Sequence, residues 1–458
     1  MVCNKIKNLS GKSRRDFLRL TTAMGAVMAL DQAEVLNVIA DCGGTALAQS
    51  GATKNMRSVH LVAGDGGFAW FQLLWPHTEV AKSGNGNFAY HAMGQVTDAP
   101  TDKASVWGPA TPWQTLGPKK QISAFMAGVN QTHTATPGSA ATIGAGQGMI
   151  AAVAAIQRAT PSLLPVIGIE PVTFGAAPGA PGVATVGDAD GLVQLFNSSA
   201  SRLTLEVEQD AALFEAYYKA YLGLVKAAGR PTWTRHLNTG KSAANFLGKN
   251  LASLLAPSAD DLMRYQITDA TPSKLAEIAR TLITAARAFK LGLTQSVILP
   301  AMRDDPHGAW GDLDNTISTA NALCLYFNEF MADLKVQDPL DANKDIADNV
   351  VLTVHGDTPK TPLDREAWQD GTPDNSNWLY VMGNGYLKTG WFGGVKANGS
   401  TAGFDPTTGN EVPNQPSSMT SASAGAAVAY AVAKGDMNRV KDFYTGPAID
   451  GMVNLSVL

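Results

Sequence analysis

Short runs of β-branched and aliphatic residues alternate along this chain with longer stretches whose apolar residues recur every three or four positions. That alternation predicts an α/β fold with a mainly parallel central sheet covered by helices on both faces. The first strand is expected over Ser58–Ala63, ending at Gly64-Asp65-Gly66-Gly67. Leu164–Ile169, Ser296–Pro300 and Asn349–Val354 read as further strands, and Trp378–Met382 as one stopped by Gly383-Asn384-Gly385. Helices are expected over 209–228, with Leu213, Tyr217, Tyr221 and Leu224 on one face, and over 274–291, with Leu275, Ile278, Leu282 and Ala286 on another. Ile317, Ala320, Cys324, Phe327 and Met331 form a third stripe at helical spacing. Segments 174–191 and 397–418, rich in Gly and Pro, read as long loops.

The first fifty residues follow a different pattern. Ser13-Arg14-Arg15-Asp16-Phe17-Leu18-Arg19 precedes a mildly apolar run through Leu30, and Ala46-Leu47-Ala48 has the small-x-small form of a cleavage site. Paired arginines followed by Phe-Leu form the address read by the twin-arginine translocon, which carries proteins already folded. The run is far short of the ~20 strongly apolar residues a membrane span needs. Residues 1–48 are therefore expected to be a twin-arginine signal peptide and 49–458 a single α/β domain that works in the periplasm or is secreted. The translocon is the one partner this implies. Asp31, Glu34 and Asp41, between the apolar run and the cut, are unusual for such a signal.

Removing residues 1–48 leaves 29 Lys/Arg against 35 Asp/Glu, a net charge of −6. That balance argues against nucleic acid or an anionic membrane surface as partner, because both demand basic patches. Cys3 and Cys42 leave with the signal, so Cys324 stands alone and no disulfide can form within the remaining chain. Its place in an apolar stripe predicts a buried structural thiol.

Several familiar motifs are missing: a Gly-x-Ser-x-Gly elbow, a Walker loop, His-Glu-x-x-His and paired Cys-x-x-Cys. Gly144-Ala145-Gly146-Gln147-Gly148 is a poor match to a dinucleotide loop, lacking its last glycine. Gly187-Asp188-Ala189-Asp190-Gly191 reads better as a helix cap than as half a calcium loop. The chemistry instead gathers behind the expected strands, where open α/β sheets bind ligands. Asp65 follows the first strand, Asp304, Asp305 and His307 follow the strand at 296–300, and His355 and Asp357 follow the strand at 349–354. Carboxylate and neutral imidazole donors suit zinc, manganese or a related divalent ion, which activates water or stabilises charge on an ester oxygen. His60, His77, His91 and His236 have no such company and read as structural.

Residues 278–310, with Val297-Ile298-Leu299 leading to Asp305-Pro306-His307-Gly308, resemble the domain-of-unknown-function 1501 family, whose members are similar to the alkaline phosphatase and sulfatase superfamily. Val354-His355-Gly356-Asp357-Thr358-Pro359 is similar to that family's Glu-Phe-Gly-Arg-Thr-Pro, and Asp374–Trp378 to its Gly-Arg-Asp-His-Trp. The opening strand and Thr132-His133-Thr134 fit more loosely. The resemblance implies a three-layer α/β/α sandwich of alkaline phosphatase type. Asp305 and His307 stand where the family has its Asp and His, and on the enzyme reading a divalent metal would be held by Asp65, Asp305, His307 and His355, with Thr132 or Thr134 as nucleophile. A threonine needs activation, which a nearby cation provides by lowering its pKa. Three positions depart from the family: Val354 replaces the acid, Asp357 the arginine and Asn377 the histidine. His355, expected on the same loop, stands in for part of that loss.

Two functions follow. One is an exported metal-dependent hydrolase of phosphate or sulfate esters with an altered site. The other is a catalytically degenerate binding or scaffold protein, for which Trp70, Trp75, Trp107 and Trp113 would supply an aromatic surface.

Overall fold

A computed structural model describes residues 55–65, 73, 75–85, 106–107, 122–129, 131, 134–160, 162–196, 250–302, 313–356, 363 and 377–457. The signal segment and the expected helix at 209–228 lie outside them. Eight strands form the main sheet: β1 (Arg57–Ala63), β2 (Ile122–Met126), β3 (Leu164–Ile169), β4 (Val183–Val186), β5 (Thr294–Pro300), β6 (Val350–Gly356), β7 (Trp378–Met382) and β8 (Gly390–Phe392). Their order is β8-β2-β7-β6-β1-β5-β3-β4. All run in one direction except β7, which pairs antiparallel with both β6 and β2. The mainly parallel sheet is thus as expected, with β1 at its centre between β6 and β5.

Alternate residues of the strands divide between two cores. Val59, Leu61, Val297, Leu299, Leu352 and Val354 join one cluster with helices α3 (Ser273–Lys290) and α4 (Leu313–Asp333). Val62, Ile298, Val351 and Val381 join another with α1 (Met149–Gln157) and α5 (Ser417–Val432). A short helix, α2 (Ala189–Leu195), follows β4. Helix α3 forms where its sequence demands it. Leu275, Ile278, Leu282, Ala286 and Phe289 make one buried stripe, and Arg287 and Lys290 sit in the last turn, where the dipole favours cations. Gly292, at φ +68°, ends it. The stripe on α4 is also buried at Ala320, Cys324, Phe327 and Met331. Burial pushes the Cys324 thiol well above its ordinary pKa, as suits a structural cysteine.

Helix α5 is built differently. Ser, Ala and Gly dominate it and nearly every residue from Thr420 onward is buried. A Cβ on Gly425 would lie 2.1 Å from the Thr142 carbonyl oxygen, so only glycine lets this helix approach the 142–148 hairpin. The segments expected as long loops carry structure of their own: β4 within 174–191, and Thr401–Phe404 and Glu411–Val412 within 397–418. Among the described residues no helix is long and apolar enough to cross a membrane.

At the amino-terminal edge of the sheet the Arg57 guanidinium is fully buried against Asp338, with Nη1 to Oδ2 at 2.7 Å and Nη2 to Oδ1 at 2.9 Å. The Asn349 amide and the Leu340 N–H donate to the same carboxylate. Burial alone would raise the Asp338 pKa, but the Arg57 hydrogen bonds and charge outweigh it and hold the carboxyl below its ordinary range. Removing one partner of such a pair leaves an uncompensated buried charge. Asp338→Ala is therefore expected to cost roughly 3–5 kcal/mol, measured by urea unfolding at neutral pH. A loss below about 1 kcal/mol, the range of exposed pairs, would show that water reaches Arg57.

Candidate functional site at the carboxyl ends of the strands

The connections after β1, β2, β3, β4, β5 and β6 all leave the sheet at one edge, and antiparallel β7 begins there. β1 ends in a turn at Gly64 and Asp65. A Cβ on Gly64 would meet the Ala135 carbonyl oxygen at 2.5 Å, and Asp65 takes the left-handed region at φ 54°. Its N–H donates to the Thr134 carbonyl at 3.0 Å. The segment after β2 thus crosses the end of β1 and brings Asp65 and Thr134 together through the backbone.

That segment is held from below and from within. The Asn377 amide, fully buried, donates to the Val129 carbonyl at 3.1 Å, while its Oδ1 accepts the Trp378 N–H at 2.9 Å. The Gln131 side-chain oxygen accepts the N–H groups of Gly138 and Ser139. The side chain at the position where the resembling family has a histidine is therefore committed to holding backbone.

The structure carries β6 through His355 to Gly356, so His355 is a strand residue and not a loop residue as expected. It is fully buried, and neither ring nitrogen has a hydrogen-bond partner. Burial pushes its pKa down to about 4 and keeps the imidazole neutral at pH 7. His60 lies on the neighbouring strand, with the same face of β1 and β6 carrying Ser58, His60, Thr353 and His355. His60 Nδ1 is 2.7 Å from Thr353 Oγ1 and Nε2 is 2.9 Å from Ser58 Oγ. Gln157 of α1 donates to the same Ser58 Oγ at 3.0 Å. Burial, then the nearby His355, lowers the His60 pKa to about 3. The two imidazoles form a neutral pair beneath α5.

Of the expected site residues, Asp65 and Thr134 are joined by their backbones, and His355 lies one strand away, with Ala63 opposite Gly356. Thr132, Asp305, His307 and Asp357 lie outside the described residues. Among the described residues no three His, Cys, Asp or Glu side chains come together as a metal site. Val354 faces the apolar cluster of α3 and α4. Gly144–Gly148 is a hairpin turn with Gly144, Ala145 and Gly146 at positive φ, and Asp188 caps α2 through the Gly191 N–H. Trp75 pairs with Trp107 in a two-residue ladder, whereas Trp70 and Trp113 lie outside the described residues. An open depression lined by Glu170, Val172, Thr185 and Gly187 lies farther along the edge, past β3 and β4.

His60, read from the sequence as structural, is a buried, hydrogen-bonded histidine, whereas its partners on the same face and the roles of Gln131 and Gln157 were missed. The signal for that shared face was present: Ser58 and His60 are polar at period two among the apolar Val59, Leu61, Val62 and Ala63, which places both on one face. Comparison with family models, with curated proteins and with solved structures finds no match for this chain.

Because both histidines are neutral in the fold and ordinary when unfolded, the unfolded chain binds more protons below pH 6.5. Their contribution to stability is complete above that pH. It is lost as the pH falls toward about 4 for His355 and about 3 for His60. At pH 5 the expected loss is roughly 2 kcal/mol per histidine. Urea unfolding of chelator-treated protein at pH 7 and pH 5 measures it, and His60→Gln should remove about half of the difference.

Proposed function

We propose that the chain is exported by the twin-arginine route and acts outside the cytoplasm as a metal-dependent hydrolase of phosphate or sulfate esters. In this reading the two helix-covered cores belong to a three-layer α/β/α sandwich of alkaline phosphatase type. One observation carries the reading. His355 presents a fully buried neutral imidazole with both nitrogens free of hydrogen bonds, at the sheet edge where α/β folds bind ligands. A buried group of that kind asks for a ligand, and a neutral imidazole suits zinc, manganese or a similar ion.

Asp65, Asp305, His307 and His355 would hold the ion. When bound, it would supply Lewis acidity toward an ester oxygen. Thr134 or Thr132 would serve as the nucleophile, and the Thr134 carbonyl is tied to the Asp65 N–H by a backbone hydrogen bond. His355 is fully buried, so bulk water does not reach its ring.

A second reading, a degenerate binding or scaffold protein, is favoured by Val354 and Asn377. The first is packed among apolar side chains and the second holds the Val129 carbonyl, so neither offers a ligand. Metal content separates the two. Protein purified from the periplasm without chelators and analysed by inductively coupled plasma mass spectrometry should carry about one equivalent of metal or more. That metal should be lost in Asp305→Ala and His307→Ala. Folded, metal-free protein would end the hydrolase reading and leave the scaffold reading standing.

A further inference from the structure

Residues 127–129, 131 and 134–139, which follow β2, double back across the end of β1. This loop is closed at three levels. At its neck, Gly128 takes φ +89° and a Cβ there would lie 2.7 Å from the Ser139 carbonyl oxygen and Oγ, so the two ends of the loop touch. Ser139 Oγ donates to the Val129 carbonyl at 2.6 Å, the oxygen that Asn377 also holds. At its waist, the Gln131 Oε1 accepts the Gly138 N–H at 2.9 Å and the Ser139 N–H as well. The Gln131 carbonyl accepts the Thr134 N–H at 3.2 Å. At its crown, the Thr134 carbonyl accepts the Asp65 N–H, and Ala135 lies against Gly64.

A single residue therefore touches both limbs of the loop. Its backbone sets Thr134 on the outgoing limb, and its side chain holds the returning limb at 138–139. We infer that Gln131 is a positioning residue that holds Thr134 and, through the Thr134 carbonyl, Asp65 in the arrangement the site requires. This rests on the proposed function for what Asp65 does, but not for the mechanical link from Gln131 to Asp65. The chemistry needed at position 131 is specific. The side chain must accept two N–H groups at once, which an amide oxygen or a carboxylate does, a thioether does only weakly and a methyl does not. Without that acceptor, two half-buried N–H groups lose their partner and the returning limb is free to lift. Asp65, at positive φ without glycine's freedom, then loses one of the contacts that keep it in a costly conformation.

The test uses three variants of the full chain: Gln131→Met, near in size but with only a weak sulfur acceptor; Gln131→Ala, with none; and Gln131→Glu, which keeps an oxygen acceptor. Hydrogen exchange read by mass spectrometry over overlapping peptides reports the Asp65 and Ser139 amides. Amides within β1 at 59–63 report whether the sheet is intact. Zinc chloride titrated against a competing chelator reports affinity. In Gln131→Met and Gln131→Ala the Asp65 and Ser139 amides should exchange at least about tenfold faster with β1 unchanged. Zinc affinity should fall about tenfold, as for other residues that orient a ligand. Gln131→Glu should restore both. Unchanged Asp65 exchange in Gln131→Met overturns the inference, as does accelerated exchange with unchanged zinc affinity. Wild-type protein that binds no zinc ends the hydrolase reading instead, and the exchange at Asp65 then decides the link from Gln131 by itself.

Discussion

A strand covered on both faces must find a partner for every polar side chain it carries, and β1 carries three. Arg57, Ser58 and His60 are all fully buried. Arg57 answers the constraint by reaching Asp338, which draws the 337–345 hairpin and Asn349 to the amino-terminal edge. Ser58 bonds Ser296 of β5 and receives Gln157 of α1. His60 bonds Thr353 of β6. Each of these partners lies far away in sequence and on a different element. Satisfying one strand therefore fixes both of its neighbours, one covering helix and the hairpin below. An apolar β1 would bury as well but would leave the register of β5 and β6 to shape alone.

The same logic continues past the end of the strand. Gly64 allows the 134–135 backbone to pass at contact distance, and the Asp65 N–H finds its acceptor there. The chain of paired polar groups that begins at Arg57 stops at His355, which has none. Its setting makes that conspicuous. α5 covers this face with alanine, glycine and serine, which bring the helix close and offer few polar atoms. The absence of a partner at His355 contrasts with full pairing at His60, two positions away on the same face, so burial alone does not account for it.

Much of the sheet was legible in the sequence because its strands are short, apolar and stopped by glycine or proline. β3 and β7 have the expected bounds, and α3 differs from the expected helix by one residue at each end. What was hidden had weak periodicity. Helix α5 has apolar and small residues all round, so no stripe marks it, and the β2 sequence Ile122-Ser123-Ala124-Phe125-Met126 is too short to separate from its surroundings. Of the site, the strand ends were readable and the contacts across them were not. His60 meets Thr353 across 293 positions of sequence, and only the parallel register of β1 with β6 brings them level. Gln131 carries no motif, because its role lies in the path of a loop.

The extension of β6 through His355 also changes what the resemblance implies. In a strand, successive side chains leave on opposite faces. Val354 joins the cluster with α3 and α4, whereas His355 shares its face with Val351 and Thr353, toward α1 and α5. An acid at 354 and an imidazole at 355 would thus serve different sides of the sheet. His355 does not replace a missing ligand at 354 by standing next to it. The position before Trp378 is closed as well, since Asn377 holds the Val129 carbonyl and thereby the loop that carries Thr134. The face that carries His355 is thus the one toward α1 and α5, and an acid at 354 would have pointed away from it.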